Sequence, residues 1–364
     1  ERLRSLRTQV TLSILLILAA VAAVAASFWS PREEPWTMEV ERDHVLILGW
    51  STKIYTVISE LMIANESQKS GVIVILAERD KVEMDDDLRS YIPPDKKTRI
   101  VTRSGCPTDM HDLDMVNPYH ARSIIVLAPE SETADAEIVK TILAITQSTN
   151  RRTGKYHIVA EVKSAAALEV AQMAGKDEVE LIPIDDLIAR ITVQACRQSG
   201  LSVVYGDLMD FAGGEIYFRQ FSELTGKSYA EILNRFNHSS VMGLMGSDKK
   251  VCLNPDPSTV LKSGDCVVAL SEDDSTFLLD NGTSNCHTVM QVDPLPHLDV
   301  PERTLILGWN KKGALILREL DRYVAKGSMV TVISKFPLEE DLEPLSSEVR
   351  NLELSYYEAD TSER

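Results

Sequence analysis

The sequence predicts an α/β protein built around an open parallel sheet, and three observations support this. Between residues 44 and 198, apolar runs of strand length alternate with segments that carry apolar residues at helical spacing. The first run stops at Gly49 and leads directly into a helix. The same strand, turn and helix recur 259 positions later. Because strands that alternate with helices form a parallel sheet covered on both faces, we predict one complete parallel unit and a second, truncated copy.

The first unit, residues 42–200, is predicted to hold six strands. A buried strand at 44–50 ends at the Gly49 turn, and a helix at 52–64 follows. The other strands are predicted at 72–77, 98–102, 121–128, 156–161 and 180–183, and the other helices at 81–90, 109–116, 134–147, 165–174 and 185–198. We expect these helices to cover the two faces of the sheet.

The pattern changes at Leu201, which predicts a smaller α+β lobe over residues 201–278. The strands become short and are bounded by turns. They are predicted at 215–219, 241–244, 250–253 and 266–270, with one helix near 229–236. Residues 279–301 have the composition of a loop and predict a linker.

Residues 302–364 are predicted to repeat the start of the first unit. Gly49 and Gly308 are 259 positions apart, and so are Leu61 and Leu320, so the register holds through strand, turn and helix without a gap. Strands are predicted at 304–309, 329–334 and 352–356. The second Rossmann-like unit is therefore predicted to be incomplete.

The N-terminal segment 8–31 contains no charged residue and is long enough to cross a bilayer as one transmembrane helix. Arg2, Arg4 and Arg7 precede it, and the positive-inside rule then places the N-terminus on the cytoplasmic side. An export signal is the alternative, because an arginine flank and small residues at 23–25 also fit a cleavable leader. A membrane span is the preferred interpretation.

Charge and motif content exclude several classes of function. The chain has 38 Lys and Arg against 55 Asp and Glu, a net charge of −17, so we expect no nucleic-acid partner. The five cysteines show no CxxC spacing, which argues against a zinc site or a disulfide framework. GxSxG, HExxH and Walker motifs are absent from the sequence, so we do not expect an enzyme and assign no catalytic residue.

The turn after the first strand resembles a broken dinucleotide-binding motif. Such folds hold a pyrophosphate with GxGxxG at a helix N-terminus, but the turn here keeps only the first glycine, Gly49. Ser51 replaces the middle glycine, and Glu78 ends the second strand, where an acid would bind a ribose. The three residues predict a vestigial cofactor site, and NAD is not expected as a cofactor.

Acidic runs are the other candidate sites, because hard cations such as calcium prefer carboxylate and carbonyl oxygens. None of the runs has EF-hand spacing, and a solvated charged surface is the alternative for each one. The candidate calcium ligands are Glu83, Asp85, Asp86, Asp87, Glu130, Glu132, Asp135, Glu272, Asp273 and Asp274.

Several longer motifs together resemble the CASTOR/POLLUX family of ion channels, which includes plant nuclear channels and bacterial relatives. They include HVLILGW at 44–50, VIVILAERDKVEMDDD at 72–87, RSIIVLAPE at 122–130 and QSGLSVVYGDLMDF at 198–211. LKSGDCVVALSEDD at 261–274 and the second LILGW at 305–309 complete the set. The resemblance runs from about residue 44 to residue 309 and beyond.

The resemblance implies a tetrameric, multi-pass cation channel with two tandem regulator-of-conductance (RCK) domains per subunit. Each RCK domain would comprise a Rossmann-like lobe and a smaller C-terminal lobe, and the domains would assemble a gating ring on the cytosolic face of the membrane. For plant members, the resemblance also implies the nuclear envelope and calcium-regulated gating. The expected partners are therefore a membrane, cations and further copies of the chain.

We accordingly predict the regulatory gating-ring portion of a ligand-gated, calcium-regulated cation channel that controls monoatomic ion transport. Ions bound at acidic loop ends would favour one arrangement of the lobes, and that arrangement would pull on the membrane helix. A single apolar segment is long enough to span, and no selectivity-filter loop is recognisable, so we do not expect this stretch to conduct alone. The alternative is a dinucleotide (NAD)-sensing regulatory module of a potassium uptake system, against which the broken turn at Gly49 counts.

Overall fold

The computed structural model describes residues 41–65, 70–94, 96–210, 213–280 and 300–360. The apolar segment predicted at 8–31 lies outside these residues, as does most of the predicted linker. Within the described ranges, no helix combines the length and apolar character needed to cross a membrane.

A six-stranded, all-parallel sheet forms the first part of the structure, with strand order β3-β2-β1-β4-β5-β6. Its strands are β1 (Val45–Leu48), β2 (Gly71–Ala77), β3 (Thr98–Ser104), β4 (Ser123–Val126), β5 (Ile158–Val162) and β6 (Val179–Pro183). The predicted parallel α/β sheet is confirmed. The strand order reverses direction between β1 and β4, which is the switch point where open α/β sheets bind ligands.

Five helices accompany this sheet: α1 (Ile54–Ala64), α2 (Lys81–Tyr91), α3 (Met110–Asp114), α4 (Ala134–Thr146) and α5 (Ala165–Gly175). Successive residues of β1 point to opposite faces, and both faces are buried. Leu48 lies in one core with Ile142 of α4, whereas Ile47 lies in the other core with Ile58 of α1. Burial on both sides explains why the strands read as continuous apolar runs in the sequence.

The helix predicted at 185–198 is α6 (Ile184–Arg197), and the expectation that it covers the first sheet is wrong. Its buried Val193 packs with Leu317 and Leu320 in the core of the second parallel unit. Another helix, α7 (Leu201–Met209), follows at the start of the predicted α+β lobe, where no helix or strand was predicted. Val203, Val204 and Met209 of α7 are exposed, and none of its residues is buried. The helix therefore lacks the apolar stripe along one face by which a sequence indicates an amphipathic helix.

An antiparallel sheet of four strands, ordered β7-β10-β8-β9, follows α7. The strands are β7 (Glu215–Arg219), β8 (Ser239–Met245), β9 (Val251–Leu253) and β10 (Cys266–Ser271), and the accompanying helix is α8 (Tyr229–Ile232). Phe221, Phe236 and Phe277 stack with ring centroids 5.1–5.2 Å apart and form the centre of the core of this lobe.

A second parallel sheet, ordered β11-β12-β13, comprises β11 (Arg303–Leu307), β12 (Ser328–Ser334) and β13 (Leu352–Glu358). Helices α9 (Gly313–Asp321) and α10 (Glu339–Glu348) accompany it, and α10 was not predicted. Leu305 and Leu307 are 57% and 64% exposed, although their equivalents in β1 are fully buried. Leu46 and Leu48 pack in a core with residues of β4 and α4, and the described part of the second unit has no equivalents of these two elements.

Candidate functional site

A crevice of about 420 Å³ opens at the switch point, at the carboxyl ends of β1, β2 and β4. Gly49, Trp50 and Glu78 line one side, and Glu137 and Lys140 of α4 line the other. Two of the three predicted cofactor residues, Gly49 and Glu78, therefore meet in one crevice. This is the position at which Rossmann-like sheets bind their ligands.

Gly49 is fixed by its surroundings as well as by its own conformation. Its φ of +95° lies in the region that side chains disfavour, and a Cβ there would be 2.8 Å from the carbonyl oxygen of Leu127. Its N–H donates to the Leu76 carbonyl at 2.9 Å. Gly49 therefore lies at the end of β1, between the end of β2 and the backbone that follows β4, where a larger residue does not fit.

Ser51 occupies the place of the middle glycine and is buried, with 5% of its surface exposed. Its hydroxyl oxygen makes no hydrogen bond within the described part of the chain. In dinucleotide folds this position lacks a side chain, so that the backbone can approach the phosphates. The serine side chain therefore occupies space that a glycine would leave open in the turn.

Two hydrogen-bond donors of the turn, the Thr52 hydroxyl and the Lys53 ammonium group, bind carboxylates of the protein itself. Thr52 Oγ1 donates to Glu130 Oε1 at 2.9 Å, and the Thr52 N–H faces the same oxygen at 3.5 Å. Lys53 Nζ lies 3.0 Å from Glu161 Oε2, which also accepts the Ala128 N–H at 3.3 Å. Glu161 was not predicted as a site residue, although an acid in a buried strand indicates that its charge has a partner.

Trp50 belongs to a cluster of aromatic and charged side chains beside the turn. The Arg79 guanidinium lies 5.1 Å from its ring centroid and pairs with Asp87 at 2.7 Å and Glu83 at 3.5 Å. Burial, followed by the nearby Asp87 carboxylate, raises the pKa of Tyr55, whose hydroxyl faces Asp87 at 3.4 Å. The acidic run is therefore already partly neutralised by cations.

The four predicted calcium ligands of α2 are all used locally. Glu83 and Asp87 share Arg79, and Asp86 pairs with Arg89 at 3.3 Å. Asp85 accepts from Lys81 at 3.1 Å and from the Thr102 hydroxyl. Burial opposes ionisation of Asp85, but the hydrogen bonds from Thr102 and Lys81 outweigh it and hold its pKa below the usual value.

Thr102→Val is expected to raise the pKa of Asp85, because the hydrogen bond that favours the carboxylate is lost. A lowered pKa in the folded state stabilises the protein above the unfolded-state value and is lost as pH falls through the folded-state value. The variant should therefore be less stable than wild type at neutral pH, and the two should converge in acid. Titration of the carboxyl carbon by NMR measures the shift. An unchanged pKa would contradict the role of Thr102.

The remaining acidic candidates lie apart from this run. Glu130 binds the turn, Glu132 is exposed, and Asp135 accepts the N–H groups of Lys163 and Ser164 at 2.9 and 3.0 Å. In the described ranges, no group of three acidic, histidine or cysteine side chains lies close enough to hold a metal ion. The structure therefore does not bring the predicted calcium ligands together.

The antiparallel lobe has a strongly acidic end. Tyr217 donates to Glu215 Oε2 at 2.8 Å, and burial followed by Glu215 raises its pKa. The negative charges of Asp273 and Asp274 act in the same direction, while Glu272 beside them is exposed. These carboxylates create a field that attracts cations, although they do not form a closed site.

Comparison with known proteins identifies the chain's relatives. The family model for "Castor and Pollux, part of voltage-gated ion channel" matches residues 185–287. The chain is 31% identical over 306 residues to the probable ion channel POLLUX of Arabidopsis thaliana, covering 83% of this chain and 36% of that protein. It is 33% identical over 309 residues to the ion channel CASTOR of Lotus japonicus, covering 83% and 35%. The chain thus spans about a third of the length of these relatives.

The fold has a counterpart among solved structures. The human SLO3 gating ring superposes with a TM-score of 0.57 over 86% of this chain and 63% of that chain, at 13% sequence identity. The likeness shows a shared fold. The relatives are named as ion channels and not as enzymes. The resemblance carried by the sequence motifs is confirmed, and over the part of those proteins that it spans, this chain belongs to the CASTOR/POLLUX ion-channel family.

Proposed function

We propose that this chain is the regulatory gating-ring part of a ligand-gated cation channel that controls monoatomic ion transport across a membrane. The observation that carries the proposal is the tandem architecture, in which α6 of the first parallel unit packs directly against α9 of the second. Family membership and the fold shared with a gating ring support it. A homotetramer on the cytosolic face of a membrane is the proposed working form, in the nuclear envelope if the source is a plant.

Calcium is the proposed ligand. A net charge of −17 and the acidic end of the antiparallel lobe favour cation binding. Since the described residues hold no ready-made group of ligands, calcium would bind by drawing separate carboxylates together. A ligand of this kind binds one arrangement better than another, and only such differential affinity can shift a conformational equilibrium.

Calorimetric titration of residues 38–364 with calcium tests the proposal, with magnesium and NADH titrations as controls and light scattering for the mass. Replacing Glu272, Asp273 and Asp274 by their amides should weaken calcium binding at least tenfold. The matched control replaces Asp85, Asp86 and Asp87 by asparagine, and we expect a smaller loss because cations already pair with these residues.

Saturable calcium binding by a tetramer, weakened by the first variant, would support the gating-ring proposal. No calcium binding, or equal affinity for magnesium, would contradict the proposed ligand. Tight NADH binding without a calcium response would instead favour the dinucleotide-sensing module.

A further inference from the structure

The turn that binds phosphate in dinucleotide folds is filled from within the chain. We propose that Glu130 and Glu161 are internal ligands of this turn and determine its specificity, by excluding phosphate groups from the turn. The inference goes beyond the gating-ring function and does not depend on calcium binding.

The first internal ligand lies at the start of α1. A helix N-terminus carries partial positive charge and offers N–H groups that commonly bind a phosphate. Here the Glu130 carboxylate contacts Thr52, two residues before α1, with one oxygen 2.9 Å from Thr52 Oγ1 and 3.5 Å from the Thr52 nitrogen. A phosphate oxygen would have to displace this carboxylate before it could reach the same donors.

The second internal ligand neutralises the one cationic side chain of the turn. Lys53 Nζ pairs at 3.0 Å with Glu161, whose carboxylate is largely buried and is also held by the Ala128 N–H. A dianionic phosphate beside this turn would meet the Glu130 carboxylate and a Lys53 ammonium group that is already paired with Glu161. The Glu130 charge repels a phosphate, and the Lys53–Glu161 pair offers it no net positive charge.

In the second parallel unit the turn lysine is also paired with an acid, but the residues are different. Lys312 is the equivalent of Lys53 at the 259-residue offset, and it lies 3.5 Å from Asp185 of α6. Asn310, the equivalent of Ser51, accepts the Lys312 N–H at 2.9 Å through its side chain. The Trp309 ring covers Gly313, where an added Cβ would come within 2.6 Å of it. In two turns with different sequences, the equivalent lysines, Lys53 and Lys312, are thus both paired with an acid of the chain.

Removing the two negative charges should therefore uncover a phosphate site. The test compares wild type with the Glu130→Gln/Glu161→Gln double variant, titrated calorimetrically with inorganic pyrophosphate and separately with ADP. Glutamine keeps the size and the acceptor oxygen but removes the charge. We expect no saturable binding by wild type up to millimolar concentration, and at least a tenfold gain in affinity for both probes in the double variant.

Glu137→Gln is the matched control, because Glu137 lines the crevice but accepts from Thr133 at 2.6 Å, away from the turn. It should leave both probes unbound. Wild type that binds ADP as tightly as the double variant would overturn the proposal, as would a folded double variant without any gain.

Folding of the variants is checked by circular dichroism and thermal unfolding. If loss of the buried Glu161 charge prevents folding, the single Glu130→Gln variant decides, since Glu130 is exposed and its replacement should be tolerated. The single variant should bind pyrophosphate more tightly than wild type, with an affinity that falls as salt is added. A folded single variant indistinguishable from wild type would then overturn the proposal.

Discussion

Gly49→Ala is expected to lower the free energy of unfolding by roughly 3 to 5 kcal/mol, through backbone strain and a clash together. A non-glycine residue at the φ of +95° is strained, and its Cβ would lie 2.8 Å from the Leu127 carbonyl oxygen. That oxygen belongs to backbone that cannot easily retreat, because the Leu127 N–H donates to Leu48 at 2.9 Å. Urea unfolding followed by circular dichroism measures the loss.

Gly308→Ala provides the matched control, since the two glycines are equivalent in the repeat. Gly308 has a φ of +83°, but no heavy atom of the described residues lies within 4 Å of an added Cβ. Only the strain remains, and we expect a loss of about 1 kcal/mol. Equal losses at the two positions would show that the contact with Leu127 contributes nothing.

The parallel sheet and its glycine turn were predictable because their cause is local. A strand buried on both faces must be apolar at every position, so β1 and β2 are visible as uninterrupted runs. The positive φ of Gly49 is likewise indicated by a glycine at the end of such a run. The exact repetition of this pattern around Gly308 predicted the second unit by the same local signal.

The internal ligands of the turn were not predictable in the same way. Thr52 and Glu130 are 78 residues apart, and Lys53 and Glu161 are 108 residues apart, so no sequence periodicity connects them. The strand order of the sheet brings them together, because β4 and β5 follow β1 on one side of the switch point. Such a pairing becomes visible only when the topology is known.

The acidic run of α2 illustrates a signal that the sequence did contain. Arg79 and Glu83, and likewise Lys81 and Asp85, are spaced i,i+4 and form ion pairs on the helix. That spacing favours a helix surface neutralised by its own cations over a metal site. The carboxylates of 272–274 have no such arrangement in the sequence, which is why they carry the calcium test.

The packing of α6 could not be predicted from its own sequence, because an amphipathic helix does not specify which apolar surface it covers. In the structure, three ion pairs connect it with the second unit: Asp185–Lys312 at 3.5 Å, Arg190–Glu319 at 3.4 Å and Arg197–Glu302 at 2.7 Å. They are spread along the whole helix. Val193, 2% exposed, anchors the helix in the apolar core between them.

Val193→Asp is therefore expected to detach the second unit from α6, because it places an unpaired charge in an apolar core, at a cost of roughly 3 to 5 kcal/mol. Amide exchange in β11, β12 and β13 should accelerate by at least a hundredfold, while β1, β2 and β4 keep their protection. Thr192→Asp introduces the same charge one residue away on the exposed face and should change neither. If the two variants changed amide exchange in β11, β12 and β13 equally, the burial of Val193 would not be what packs α6 against the second unit. Faster exchange confined to the second sheet would show that the burial of Val193 stabilises the second parallel unit without affecting the first.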